Sequence, residues 1–172
     1  MGYLKGIRSY LAGPIEYDPD HNGGNWRVEP SRIIKEMGVD LFDPSNDDKQ
    51  KMVGGLHQAL EIENYEEAVK IAKDFVQKDL TIVSHANFIV AFVPQGVPTI
   101  GTVHEIIFSD RDKKPTLLVC PQGKKKTGKW YFGIIPHKYI FGSWTELYAY
   151  LKEVDEGKHK DDRKWAYTYG LI

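Results

Sequence analysis

Cysteine is nearly absent from this 172-residue chain, with Cys120 standing alone. An internal disulfide framework and a multi-cysteine metal site are thereby excluded. Long apolar runs are missing as well. The longest uninterrupted one, Phe88 to Val93, is far short of the roughly 20 residues needed to cross a bilayer as a helix. No charge of one sign dominates, since 23 Lys and Arg face 24 Asp and Glu for a formal charge of -1. That balance argues against a protein that coats nucleic acid by neutralising phosphates. Met1 to Arg8 has no apolar core behind its charges, so no secretory leader is expected. His21, His57, His85, His104, His137 and His159 show no metal-ligand spacing, and Gly13-Pro14 and Gly23-Gly24 make no dinucleotide or phosphate-loop fingerprint. Neither a metal nor NAD or ATP is implied. What remains is 41% hydrophobic and 27% charged, as expected of one soluble, cytosolic globular domain.

The apolar segments alternate between strand and helix patterns. Ile7 to Ala12 reads as a first strand, broken by Gly13-Pro14 and followed by loop composition to Trp26, with Asp18, Asp20, Asn22, Gly23 and Gly24. A helix is expected to start near Trp26 or Pro30, to carry Ile33, Ile34 and Met37 inward and to end at Gly38, before a strand over Val39 to Phe42. Asn46 to Gly55 reads as a polar loop and Leu56 to Ser84 as a long, interrupted helical stretch, with Ala68, Ile71, Ala72, Phe75 and Val76 at three- and four-residue spacing. Asn87 to Val93 has the continuous β-branched and aromatic content of a strand covered on both faces. A helix over Gly101 to Ser109, a strand over Thr116 to Cys120, a strand over Tyr139 to Phe141 and a helix over Ser143 to Val154 follow, the last with the capping pair Ser143 and Glu146. Such alternation predicts an α/β fold: a parallel sheet with helices on both faces. The 157–163 tail is expected to be charged and exposed, whereas Trp165 to Ile172 is too aromatic to be idle.

Chemistry in such a sheet belongs beyond the carboxyl ends of the strands. Gly13-Pro14, Pro94 to Glu105 and the residues from Pro121 onward arrive there. Glu105 falls early in the helix opened by Gly101-Thr102, whose free N–H groups suit an anion or a sugar hydroxyl. It is equally readable as a solvated Glu favoured by the helix dipole, or as half of a capping box with Thr102. Asp79, near the end of the long helix, opposes that helix's dipole; it reads either as a surface partner of Lys73 or Lys78 or as a second functional acid. Two carboxylates on neighbouring crevice elements are the minimal apparatus for glycosidic cleavage, with a separation of about 5 Å implying a covalent, retaining route. Cys120 inside a strand reads as a small buried hydrophobe, and Lys124 to Lys126 as a solvated loop.

Taken in order, Tyr10-Leu-Ala-Gly-Pro14, Asp79-Leu80 leading into Ala86 to Ala91, Gly101-Thr-Val-His-Glu105 and Lys114-Pro115 resemble the nucleoside 2-deoxyribosyltransferase family, which includes the 2'-deoxynucleoside 5'-monophosphate N-glycosidases. The resemblance runs from about Ser9 to Leu118 and skips Asn46 to Ala68. It implies a single flavodoxin-like domain over 1–172 with an enlarged 46–68 region and an extended tail over 157–172. It further implies Glu105 as the nucleophile on C1' of deoxyribose, Asp79 as the acid serving the departing base or the sugar, and Tyr10 as the hydroxyl orienting Glu105. Gly13, Pro14, Gly101 and Thr102 would approach the substrate, with no metal or organic cofactor. Asn87 replaces a usual Asp, implied to be structural. Thr99, six residues before Glu105, stands where nucleoside transferases carry Asp and the monophosphate-cleaving relatives carry Ser; a neutral hydroxyl there favours a 5'-monophosphate over a free nucleoside. Arg27 is a candidate second phosphate contact or an ion pair. Hydrolysis and transfer to an acceptor base both remain open, as do a catalytically inactive nucleotide-binding module and cleavage of another N-riboside such as NAD. Base contacts are expected from Ile15 to Trp26 and Asn46 to Gly55. A homodimer or higher homo-oligomer is implied, with Trp165, Tyr167, Tyr169 and the Trp130 to Tyr139 segment as contributors.

Overall fold

The computed structural model describes residues 2–15, 25–45 and 47–169. Among them, five strands form one parallel sheet in the order β2-β1-β3-β4-β5: β1 is Arg8–Ala12, β2 Asp40–Phe42, β3 Phe88–Phe92, β4 Thr116–Val119 and β5 Ile140–Phe141. The central strands are apolar on both faces because both are covered. Tyr10, Leu11, Ala12, Phe88 to Ala91 and Leu117 to Val119 have no exposure at all. In register, Tyr10 lies between Phe42 and Ile89.

The helices are α1 Asn25–Glu36, α2 Asp47–Glu61, α3 Tyr65–His85, α4 Ile100–Arg111, α5 Tyr131–Ile134, α6 Trp144–Asp155 and α7 Arg163–Thr168. Right-handed crossovers put α1 on one face and α2, α3 and α4 on the other, because the chain leaves β1 toward β2 and then returns past it to β3. The reversal makes the carboxyl ends of β1 and β3 the switch point where an open α/β sheet offers a crevice.

One expectation about the helices is corrected. Residues 47–55 are helical rather than loop: α2 starts at Asp47, and the long stretch divides at 62–64 into two helices. Gly54 and Gly55 each weaken α2 by about 1 kcal/mol relative to Ala, but the helix packs on α3, where a Cβ on Gly55 would already lie 3.6 Å from Ile71 Cδ1. The break is set by Asn64, whose side chain accepts from Glu67 N–H and so starts α3. The helix α1 begins ahead of Pro30, which therefore sits inside it. Gly38 ends the turn after α1 at φ +85° as expected.

Several local expectations have a direct physical basis. Ser143 caps α6 by accepting from Glu146 N–H, while the Glu146 carboxylate accepts from Gly142 N–H. Lys114, at the break before β4, donates to the carbonyls of Val83 and Ser84 and places a cation at the end of α3. Trp165 on α7 is fully buried within its own subunit, 5.3 Å from the Phe88 ring, and donates its indole N–H to Tyr150. Its expected contribution to a neighbouring subunit is thereby corrected: burial against β3 leaves it no surface to offer. Tyr169 likewise donates to Val154 O, and the Tyr167 side chain lies outside the described residues. Among the described residues, no helix is long and apolar enough to cross a membrane.

Candidate active site

A cavity of about 340 Å³ opens at the switch point. Its walls come from the end of β1 (Gly13, Pro14), from α3 (Phe75, Val76, Asp79, Leu80), from Thr99 and the first residues of α4 through Glu105, and from α2 (Val53, Leu56, His57). Asp79 and Glu105 are both 8% exposed, far from the solvated surface acids that spacing alone allows. The capping-box reading of Thr102 and Glu105 is also corrected. Thr99 is the N-cap, Thr102 is already inside α4 and buried, and Glu105 stands beyond the first turn.

The polar centre is a hydrogen bond from the Tyr10 hydroxyl to Glu105 Oε1 at 2.6 Å. Its geometry is fixed from both sides. Tyr10 is fully buried on β1, its ring stacked on Phe42 at 5.8 Å, and Glu105 projects from α4 across the neighbouring strand. Burial, and after it the negative charges of Glu105 and Asp79, push the Tyr10 phenol well above its ordinary range. The phenol therefore stays protonated and serves only as a donor, holding one carboxylate oxygen. Asp79 and Glu105 line the same cavity. Tyr10→Phe should keep the fold while costing about 10–100-fold in turnover, read as a fall in kcat, because the carboxylate loses a charge-assisted hydrogen bond of about 1.5–3 kcal/mol.

The remaining expected residues divide. Gly13, Pro14, Thr99, Gly101 and Thr102 all line the cavity. Gly13 is small for two reasons: it borders the cavity, and a Cβ would fall 2.3 Å from Trp26 Cζ2. Around Gly101 a Cβ would meet nothing within 4 Å, so there is room for a ligand against the backbone. Thr99 makes no side-chain cap, and the first N–H groups of α4, which lack intrahelical partners, belong to residues that line the cavity.

Arg27 does not line the cavity. It is 1% exposed; one terminal nitrogen donates to Leu11 O and to Asp43 Oδ1 and the other to Gly13 O, with the guanidinium 4.3 Å from the Trp26 ring. Its expected phosphate contact is replaced by a buried ion pair that ties the end of β1 to the turn after β2. Asn87 is likewise architectural: its Oδ1 accepts from Arg8 N–H at the amino end of β1. That bond needs only one acceptor oxygen, which the Asn amide provides as an Asp carboxylate would. Cys120 is fully buried, and burial pushes its thiol up.

Val53 falls within Asn46 to Gly55, where base contacts are expected, but sequence reasoning missed Leu56 and, at the rim, His57. A signal existed in the apolar spacing of Val53 and Leu56, masked by the glycine pair between them. Residues 16–24 and 46, where base contacts were also expected, lie outside the described residues. Among the described residues, no group of three His, Cys, Asp or Glu side chains is placed to hold a metal.

The arrangement is an α/β crevice carrying two buried acids, one of them held by a tyrosine. No protein-family model matches the chain, and no curated protein does. Solved structures do resemble it. A 2-deoxyribosyltransferase from Bacillus psychrosaccharolyticus superposes with a TM-score of 0.58 at 17% identity, over 83% of this chain and 90% of that one. A 2-desoxiribosyltransferase from Leishmania mexicana gives a TM-score of 0.55 at 18% identity, over 86% of this chain and 97% of that one. At these identities the shared property is the flavodoxin-like fold.

Proposed function

We propose that this protein cleaves the N-glycosidic bond of a 2'-deoxynucleotide or 2'-deoxynucleoside through a covalent deoxyribosyl-Glu105 intermediate. The observation that carries this reading is the buried Tyr10–Glu105 hydrogen bond beside Asp79 in one cavity. The fold likeness to two deoxyribosyltransferases supports it. Tyr10 holds one oxygen of the carboxylate and leaves the other for attack. That oxygen bonds to C1' as the bond from C1' to the base nitrogen breaks, and the base departs with the electron pair. Asp79 serves the leaving base or a sugar hydroxyl. Water or an acceptor base then attacks C1', and Glu105 leaves as the carboxylate.

The 5'-phosphate preference now rests on α4. Thr99 presents a hydroxyl, and the unpaired N–H groups of the helix end favour an anion. No Lys or Arg is among the described lining residues, so within them the proposed phosphate contact rests on Thr99 and the α4 N–H groups.

Chromatography of the products formed from a panel of deoxynucleoside 5'-monophosphates and free deoxynucleosides, with and without an acceptor base, tests the reading. Base release from the monophosphates is expected, and a new nucleotide with the acceptor would mark transfer over hydrolysis. Reaction of free deoxynucleosides alone would overturn the role of Thr99. Tight nucleotide binding without any base release would make the protein a binding module instead.

A further inference from the structure

Charge is balanced over the chain but not along it. No Asp or Glu occurs between Asp112 and Glu146, and five lysines fall within 124–138. Lys124, Lys125, Lys126 and Lys129 are all exposed, and among the described residues none of them forms an ion pair. Beside them Trp130 is 76% exposed and Phe132 46%. We propose that this segment binds a single DNA strand, phosphates on the lysines and a base on Trp130, and leads the strand's 3'-terminal nucleotide into the cavity.

The segment is anchored, which gives its cations fixed places. Gly123 N–H donates to Cys120 O, the buried Thr127 hydroxyl lies against the Cys120 thiol, and Lys124 Nζ donates to His137 O at 2.7 Å. It also abuts the cavity. The chain leaves β4 at the carboxyl edge of the sheet, and the Tyr131 phenol is in hydrogen-bonding contact with the side chain of Thr99, a lining residue. Clustered lysines without intervening acids match a chain of phosphates, whose bound counterions they displace. An exposed indole beside them offers a stacking surface that any base fits. A mononucleotide, with one phosphate and one base, would leave both unused. Anionic lipid attracts the same side chains, but the contact with Thr99 favours a ligand whose phosphate chain continues out of the cavity.

The polarity of the strand rests on the phosphate placement proposed above. With the 5'-phosphate at Thr99, a chain continuing through it runs to the 5' side, so the nucleotide in the cavity is the last at the 3' end. Hydrolysis there gives the departing base a proton and C1' a hydroxyl, and leaves the strand with an abasic 3' end.

Fluorescence anisotropy of the full chain with a 5'-labelled single strand of about ten nucleotides provides the test, with circular dichroism confirming that each variant is folded. The wild type should bind with an affinity that falls steeply with salt. Replacing Lys125, Lys126 and Lys129 together by Ala should weaken binding at least about tenfold, and Trp130→Ala about fivefold or more. Moving the bulky label to the 3' end should weaken it about tenfold, because that end enters the cavity. Equal binding of the two labelled strands, or no loss in the lysine or tryptophan variants, would overturn the proposal. So would capture of anionic lipid vesicles without any strand binding, or a Trp130→Ala effect confined to sedimentation, which marks a contact between copies. None of these measurements reads base release, so failure of the monophosphates to react would strike the catalytic reading and leave the strand-binding result standing.

Discussion

Glu105→Ala should abolish base release, lowering turnover by at least about 1,000-fold, because it removes the carboxylate that the Tyr10 hydroxyl holds in the cavity for attack on an anomeric carbon. The substitution also strips the buried Tyr10 hydroxyl of its acceptor, which costs about 1–3 kcal/mol. It simultaneously removes one of two acids packed around that phenol, so part of the cost is offset by relief of crowded negative charge. Glu105→Gln separates these effects. The amide oxygen still accepts from Tyr10 and the fold is kept, yet an amide is no nucleophile, so activity should fall as far as in the alanine variant. Mass spectrometry of the wild type quenched during turnover should show a deoxyribosyl adduct on the peptide containing Glu105 and none in either variant. Substantial base release by folded Glu105→Gln would remove the covalent mechanism.

Arg27→Met should be the most damaging substitution for stability, by about 3–5 kcal/mol or roughly 6–20 °C in melting temperature. The guanidinium satisfies two backbone carbonyls at the end of β1, those of Leu11 and Gly13, and the Asp43 carboxylate together. Methionine fills the volume and satisfies none of them, leaving Asp43 with its contacts to Ser31 and Ser45 but without its cation. Lysine keeps the charge but not the planar fork that reaches three acceptors, and should recover only part of the loss. Calorimetric or circular-dichroism melting measures the effect. A phosphate-binding arginine would behave in the opposite way: unchanged melting, with KM raised for monophosphates alone.

The contrast between Glu105 and Arg27 shows where the sequence was legible. Parallel strands buried on both faces must be continuously apolar, so Phe88 to Val93 and Thr116 to Cys120 announce themselves, and with them the sheet. The capping pair at Ser143 and Glu146 is equally local. Glu105 was not distinguishable from a solvated helix residue by spacing; only its resemblance to a family pattern singled it out, since what distinguishes it physically is a partner on another strand. For Arg27 the ion-pair reading holds, but its burial was not legible, because no periodicity marks a charged residue destined for the interior: its other acceptors are main-chain carbonyls, which every sequence possesses. The helix α2 was lost to a propensity argument that Gly54-Gly55 and a polar start satisfy, and that packing on α3 overrides. Trp165 was correctly read as too aromatic to be idle, but the surface that accepts it, Phe88 and Tyr150, belongs to its own subunit.

The partners of the central hydrogen bond are 95 positions apart in the chain. No local segment contains both, and neither α4 alone nor the β1-α1-β2 unit alone can hold the pair. The reactive geometry must therefore emerge only once β3 has zipped onto β1 and the following helix has docked, a closure with a large entropic loop to overcome. A partly folded or truncated chain can carry every residue of the centre and still lack the bond that joins Tyr10 to Glu105, which exists only in the assembled sheet.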